Sequence, residues 1–481
     1  MPITSAPVSP RASSGIEPEE DGLPPRERRL AIAVIAIGTV MAVLDGTIAN
    51  VALPTIAREL HVDAAASVWV VNAYQLALAM LLLPLSSLGD VIGYRRVYAG
   101  GIAIFTLGSL ACSLSHTLPL LVAARIFQGV GGAAVMSIAP ALNRSIFPAS
   151  RLGVAVGISA LTVASSSAAG PTIGGALLAV APWPWIFAIN VPLGLFDTLF
   201  AARALPKSRP SGGRFDVPSA LLSGPAIALL VVALDGFARR LPSLAIAGLL
   251  ACSIGLGYAF VRRQRGLAHP MLPLELFAIP RFSLAAVTSL CSFAAQGLAF
   301  VALPFLIQGA YGFTAFQSGL LFTPWPLSIA CVAPVAGRLA DRIHPPLLST
   351  IGLGVFTLGL ILFSVLPPHA GPPAIVACGI VCGLGFGFFQ SPNNRELLGS
   401  APRNRSGSAS GVLATVRVTG QSLGAATVAI VLGTAAASSV DPHVAAHLLA
   451  PAHTALRLAA ICALVGTVVS TSRLRRSFQA L

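Results

Sequence analysis

The chain has 481 residues, 55% of them hydrophobic and only 10% charged, with a formal net charge of +14; a soluble globular chain carries about 25% charged residues. Its apolar residues lie in blocks of about 18 to 25, the length a helix needs to cross the roughly 30 Å hydrocarbon core of a bilayer. This composition excludes a soluble domain, and the absence of alternating ten-residue segments argues against a transmembrane barrel. Backbone groups in lipid must bond within their own segment, so the expectation is an all-α membrane protein.

Residues 1–29, rich in Pro, Ser and acids, read as a disordered cytoplasmic tail. About fourteen apolar spans follow, near 30–54, 67–88, 97–115, 118–141, 153–180, 185–204, 217–235, 242–261, 282–308, 316–337, 347–366, 373–392, 408–436 and 454–472. Residues 473–481 read as a basic cytoplasmic tail. Basic residues cluster on alternate loops: Arg26, Arg28 and Arg29; Arg95 and Arg96; Arg144 and Arg151; Arg203 and Lys207; Arg262 and Arg281; Arg338 and Arg342; Arg395 and Arg403; Arg473, Arg475 and Arg476. The opposite loops hold only Arg58, Arg239, Arg240 and Arg457. By the positive-inside rule both termini are cytoplasmic. The positive charge is a topology signal, so no nucleic-acid partner is expected.

The first span carries "AVLDGTIANVALPTI", with Asp45 about 15 residues inside it. An ionised group there costs about 2.5 to 3.5 kcal/mol on insertion scales, and so it faces a cavity or a partner. Gly38, Ala42, Ala49 and Ala52 share its face. Two readings stand: a carboxyl that loads and releases a proton, or a packing aspartate bonded to backbone or to Asn50. In the fourth span, "LVAARIFQGVGGAAV" holds Arg125, which cannot practically lose its proton; it either pairs with Asp45 or pins the helix. Arg417, in "GVLATVRVTGQSLGAA", has no assignable role from sequence.

The loops "GDVIGYRR" and "GRLADR" set Asp90 beside Arg95 and Arg96, and Asp341 beside Arg338 and Arg342. They fit either a charge clasp that closes the cytoplasmic side or ordinary capped loops. "AAGPTIGGAL" combines Pro171 with Gly170, Gly174 and Gly175, a bend with a smooth face for a neighbouring helix. "GLGFG" at 383–387 lies in an apolar helix with no preceding strand, so it is no dinucleotide loop. Walker motifs, HExxH spacing and nucleophile–base clusters are lacking, so neither ATP drive, a metal site nor an enzyme is expected.

The two ends of the chain resemble each other at an offset of about 250 residues. "ALP" at 52–54 recurs at 302–304, "SSLGDVIGYRR" aligns with "GRLADRIHPPL", and "RLGVAVG" aligns with "RSGSASG". A six-span repeat therefore covers 30–204 and 282–472, and 205–281 adds a linker with two extra spans. Parallel bundles related by an axis along the membrane normal form a transporter architecture.

Together these motifs resemble the major facilitator superfamily, in particular its fourteen-span drug:proton antiporter branch. "LDGTIANVALPTI", "WVVNAY", "SSLGDVIGYRR", "RIFQGVGGA", "GPTIGG", "WPWIFAINVPLG" and "FQSPNN" carry the likeness. Ser86, Val91, Pro184 and His344 depart from the motifs. The resemblance implies the major facilitator fold, two six-helix bundles plus two central spans, in the cytoplasmic membrane. It also implies efflux powered by the proton motive force, without a cofactor, and with Asp45 and Arg125 coupling the proton. The partners expected are a small molecule, protons and lipid, and the chain is expected to be monomeric. Polarity and position nominate Tyr74, Gln75, Gln128, Gln296, Phe300, Phe305, Gln390 and Asn394 as the cavity wall. Ala295 stands opposite Asp45 in the repeat, with no second membrane acid evident in that half, which points to cationic or neutral amphiphiles rather than divalent cations. A dedicated metabolite exporter, an uptake symporter and a non-transporting sensor or scaffold remain as alternatives.

Overall fold

The computed structural model describes residues 22–148, 151–206, 215–238, 241–267, 270–402, 406–436 and 448–478. Among them, fourteen helical units are long and apolar enough to cross a membrane, the number expected. The first half contains α1 (Pro25–Glu59), α2 (Ala64–Ser67), α3 (Trp69–Ile92), α4 (Tyr94–Ser113), α5 (Leu118–Ile146), α6 (Leu152–Val180), α7 (Trp185–Ala188) and α8 (Asn190–Ala204). Then come α9 (Val217–Ala238), α10 (Ser243–Gln264) and α11 (Leu274–Phe277). The second half contains α12 (Pro280–Pro304), a π-helical turn at Phe305–Ala310, α13 (Ala315–Phe322), α14 (Pro324–Leu339), α15 (Pro345–Ser364), α16 (Pro372–Ser400), α17 (Ser406–Ala436) and α18 (Leu449–Phe478).

The ends of the chain differ from the expectation. Pro25 sits in the first turn of α1, where its missing N–H costs nothing, so the helix takes in Arg26, Arg28 and Arg29. Of the expected disordered tail, residues 1–21 lie outside the described residues. Arg473 belongs to α18 and is buried, so the basic tail does not begin there; residues 479–481 lie outside the described set, as do Lys207, Arg239, Arg240 and Arg403.

The second span of each half is broken in its first third. Asp63 caps α2 by accepting from the Ala66 N–H, and α3 restarts after Val68. Thr314 and Gln317 form a capping box on α13, and Pro324 opens α14. A cap satisfies donors that a helix start leaves free, and proline in a first turn forfeits no intrahelical hydrogen bond.

Helices α1 and α3–α8 pack among themselves, as do α12–α18. The two groups meet where α6 lies on α13 and α14, α3 on α17, and α1 on α12. The meeting is tight at the end of the molecule that carries few arginines. There, Ile48, Ala52 and Ile56 share one apolar cluster with Ala295, Val301 and Phe305. Gln308 donates to the Val51 carbonyl at 2.8 Å, and the Thr172 and Thr323 hydroxyls bond at 2.5 Å. Gly319 allows the closest approach: a Cβ there would lie 2.2 Å from the Pro171 carbonyl oxygen. Helix α9 covers the α3–α17 seam, where Val231 packs with Leu76 and Ala426, and α10 packs on α9.

Candidate functional site

Asp45 is 2% exposed, three residues before Ile48 and directly beneath the closed seam. Burying a carboxylate requires a partner for its charge and donors for its lone pairs, and two helices, α5 and α8, supply them. Arg125 of α5 forms an ion pair with Oδ2. Gln128, one turn along α5, donates to Oδ1 at 2.8 Å, and Asn190, at the start of α8, donates to Oδ1 at 3.0 Å. Asn50 instead donates to the Gly46 carbonyl, so the Asp45–Asn50 reading does not hold.

Arg125 is held from several sides. Its Nε donates to the Val70 carbonyl at 2.8 Å, and Nη1 also reaches Gln128 Oε1 at 2.5 Å. The Tyr74 ring centroid lies 4.4 Å from the guanidinium carbon and that of Phe187 5.3 Å away; such contacts reach about 2 kcal/mol once desolvated. Nη2 has no protein partner. The geometry describes a neutralised pair with donor capacity left over, closed to solvent in this conformation.

The antiporter-like segment braces this pair. Gly170 faces Thr47 and Gly174 faces Ile48 on α1, while a Cβ on Gly175 would lie 2.7 Å from the Ala315 carbonyl oxygen of α13. Pro171, within α6, presents its carbonyl to Gly319. Helix α6 is thus wedged between the helix bearing Asp45 and the opposite bundle.

The nominated cavity wall is largely corrected. Tyr74 is buried with its hydroxyl donating to the Ala42 carbonyl at 3.1 Å, and Gln128 belongs to the Asp45 cluster. Phe305 lies in the apolar cluster between the bundles. Phe300 packs edge-on against Phe322 and Trp325. Gln296 accepts from Gln421 at 3.1 Å, and Gln75 is half-buried. Gln390 and Asn394 do line a cavity of about 150 Å³, with Phe293, Ser410, Leu413, Ala414 and Arg417. Ala414 also packs on the cluster around Met41, Ala42 and Tyr74, so this cavity lies where the bundles join. Arg417, left without a role by the sequence, is its charged group.

The proposed clasp is not closed between bundles here. Asp90 accepts from Tyr94 within its own bundle at 2.6 Å, and Asp341 pairs with Arg395 within the other. Arg95 reaches the Leu205 carbonyl at 3.5 Å, while Arg96, Arg338 and Arg342 are exposed.

Sequence reasoning missed two buried acids, Asp197 and Asp235, and a part-buried one, Glu396. Asp197 of α8 lies against the Tyr98 hydroxyl at 3.3 Å, and Asp235 of α9 accepts from the Trp69 indole at 2.8 Å. Glu396 of α16 forms an ion pair with Arg473, whose Nη1 also donates to Asn393 at 2.7 Å. The second half therefore does hold a part-buried acid within a span. Arg473 lay in a run of basic residues and Glu396 near a helix end, so composition gave no signal for either.

Comparison with known proteins agrees with this architecture. The family model described as Major Facilitator Superfamily matches residues 35–425. "Uncharacterized transporter YebQ" of Escherichia coli (strain K12) is 48% identical over 95% of this chain and 98% of its own length. "Riboflavin transporter RibZ" of Clostridioides difficile (strain 630) is 31% identical over 83% and 87%. "Multidrug resistance protein Stp" of Mycobacterium tuberculosis (strain CDC 1551 / Oshkosh) is 33% identical over 87% and 78%. A bacterial homologue of the human lysosomal transporter Spinster, in an inward-facing and unoccupied conformation, shares the fold with a TM-score of 0.67 at 14% identity, covering 94% of this chain and 99% of that one. Fourteen spans, two packed bundles and this match across most of its length make the chain a member of the major facilitator superfamily, in its drug-efflux branch.

Proposed function

We propose that this transporter exports amphipathic small molecules across the cytoplasmic membrane in exchange for protons, with Asp45 as the proton carrier and Arg125 as its counter-charge. The observation that carries the reading is the placement of the Asp45–Arg125 pair beneath a closed seam between the bundles, where Gly175 and Gly319 permit the close approach. Assigning the arginine-rich end to the cytoplasm makes this conformation closed to the outside. Rocking the bundles apart at the opposite end would admit water to Asp45. A proton entering there neutralises the carboxylate and frees Arg125 from the ion pair. Closing that end and opening the arginine-rich end releases the proton toward the cytoplasm, and the pair re-forms as in the present conformation. Its entry supplies about 2.3 kcal/mol per 100 mV and about 1.4 kcal/mol per pH unit.

Relatives named for multidrug resistance support a broad substrate range, and the riboflavin transporter supports a second reading, a carrier dedicated to one metabolite. A host lacking its major efflux pumps, expressing the wild type or Asp45→Asn at matched levels, tests the mechanism. Wild-type cells should clear a panel of fluorescent amphiphiles and the variant should not. Equal clearance by both would remove Asp45 from the mechanism, and clearance of a single compound would favour the dedicated carrier.

A further inference from the structure

The charges around the cavity between the bundles indicate what kind of molecule enters it. Every acid within a span that is not exposed is already engaged: Asp45 with Arg125, Asp197 with Tyr98, Asp235 with Trp69, and Glu396 with Arg473. None of the residues lining the cavity is acidic. Arg417 is its one ionised group. Its guanidinium carbon lies 5.9 Å from the Phe293 ring centroid, and among the described residues no carboxylate pairs with it. Arginine keeps its proton under any physiological condition. A lone cation on a low-dielectric wall attracts anions and repels cations far more strongly than it would in water.

The remaining wall suits the rest of an amphiphile. Phe293 and Leu413 offer apolar contact, and Gln390, Asn394 and Ser410 offer neutral hydrogen bonds. The planar guanidinium fork matches a carboxylate or similar acid group in two parallel hydrogen bonds. We infer that Arg417 is the substrate-recognition cation of this transporter, and that the cavity takes an apolar or aromatic small molecule by an anionic oxygen group. This replaces the expectation of a cationic or neutral substrate: the cavity wall holds no acid for a cation. The inference rests on the export reading for its direction: an anion leaving a cell that is negative inside moves down the electrical potential while the proton enters.

The test uses three dansyl probes of similar bulk: dansylglycine, its neutral amide, and a dansyl quaternary ammonium. Full-length protein in detergent micelles is titrated with each, and dansyl fluorescence is read. The wild type should bind dansylglycine at least about tenfold more tightly than the amide, and the ammonium least. Arg417→Gln should reduce dansylglycine to the affinity of the amide. Arg417→Lys, which keeps the charge but loses the fork, should retain part of the preference. Equal binding of the three probes, preference for the ammonium, no binding of any, or a preference unchanged in Arg417→Gln would overturn the inference. Proton movement into vesicles loaded with a pH dye is read separately. A carboxylate preference without proton flux would leave Arg417 in its role and remove the export reading. Proton flux with no Arg417-dependent preference would do the reverse.

Discussion

Asp45 and Arg125 depend on each other for burial, so their structural role can be measured apart from the transport role proposed for them. Removing one member of a buried pair leaves the other uncompensated and costs about 3 to 5 kcal/mol. Asp45→Asn is therefore expected to lower thermal stability in detergent as well as abolish coupled transport. The double variant Asp45→Asn/Arg125→Gln should recover most of the stability and none of the transport, as read by melting temperature and vesicle uptake. Asp197 offers the contrast. The Tyr98 hydroxyl has one hydrogen and faces both the Val34 carbonyl, at 3.0 Å, and Asp197, at 3.3 Å. A carboxyl in its acid form satisfies both contacts by donating to the hydroxyl, and Asn can do the same through its amide. Asp197→Asn should thus keep transport within about twofold, whereas Asp197→Leu, which removes the polar contact, should lower the melting temperature. Asp45 and Arg125 were legible in the sequence because a charge stands out in an apolar run. The cavity wall was not, because a side chain's direction depends on the rotation of its helix. That rotation turns Tyr74 and Gln128 into the first bundle and leaves Gln390, Asn394 and Arg417 on the cavity.

Among the elements, α6 and α13 form the closest contact between the bundles. Replacing Gly319 by Val would place its Cβ against the Pro171 carbonyl, a position that helix backbone cannot yield. The seam should then open. Spin labels on Val180→Cys and His369→Cys, in a background without the seven native cysteines, should show longer distances in Gly319→Val than with Gly319 intact; unchanged distances would place the hinge elsewhere. The glycine–proline segment was legible as a close-packing face, but not which helices it would meet. The extra pair α9–α10 was read only as a linker, because nothing in an apolar span names its neighbour. In the structure Trp69 and Asp235 tie α9 to α3, and Asp216 ties α9 to Arg263 of α10 at 2.7 Å. The Arg263 guanidinium beside Asp216 holds its carboxyl below the ordinary value of 3.8. A lowered folded-state value contributes stability above the unfolded value, lost as pH falls through the folded one. Amide exchange at the start of α9 should therefore rise only well below about pH 4, and in Asp216→Asn it should be raised already at neutral pH.

For the molecule as a whole, the span count, the helical class and the twofold repeat could be read from the sequence. Bilayer thickness sets span length, and the repeated motifs keep their order in both halves. The conformation could not be read that way, since the same sequence must serve both open states. The present state joins the bundles at the arginine-poor end, while the loop-motif acids Asp90 and Asp341 are engaged within their own bundles. That asymmetry is what one half of an alternating-access cycle requires, and Asp45 lies where the closed end begins.

The most direct measurement of the central claim is proton entry into proteoliposomes that carry a pH dye inside and receive an imposed proton gradient, with a transported amphiphile present or absent. The account predicts that the amphiphile accelerates acidification in the wild type and has no effect in Asp45→Asn. Amphiphile-stimulated proton entry of equal rate in the two proteins would contradict it.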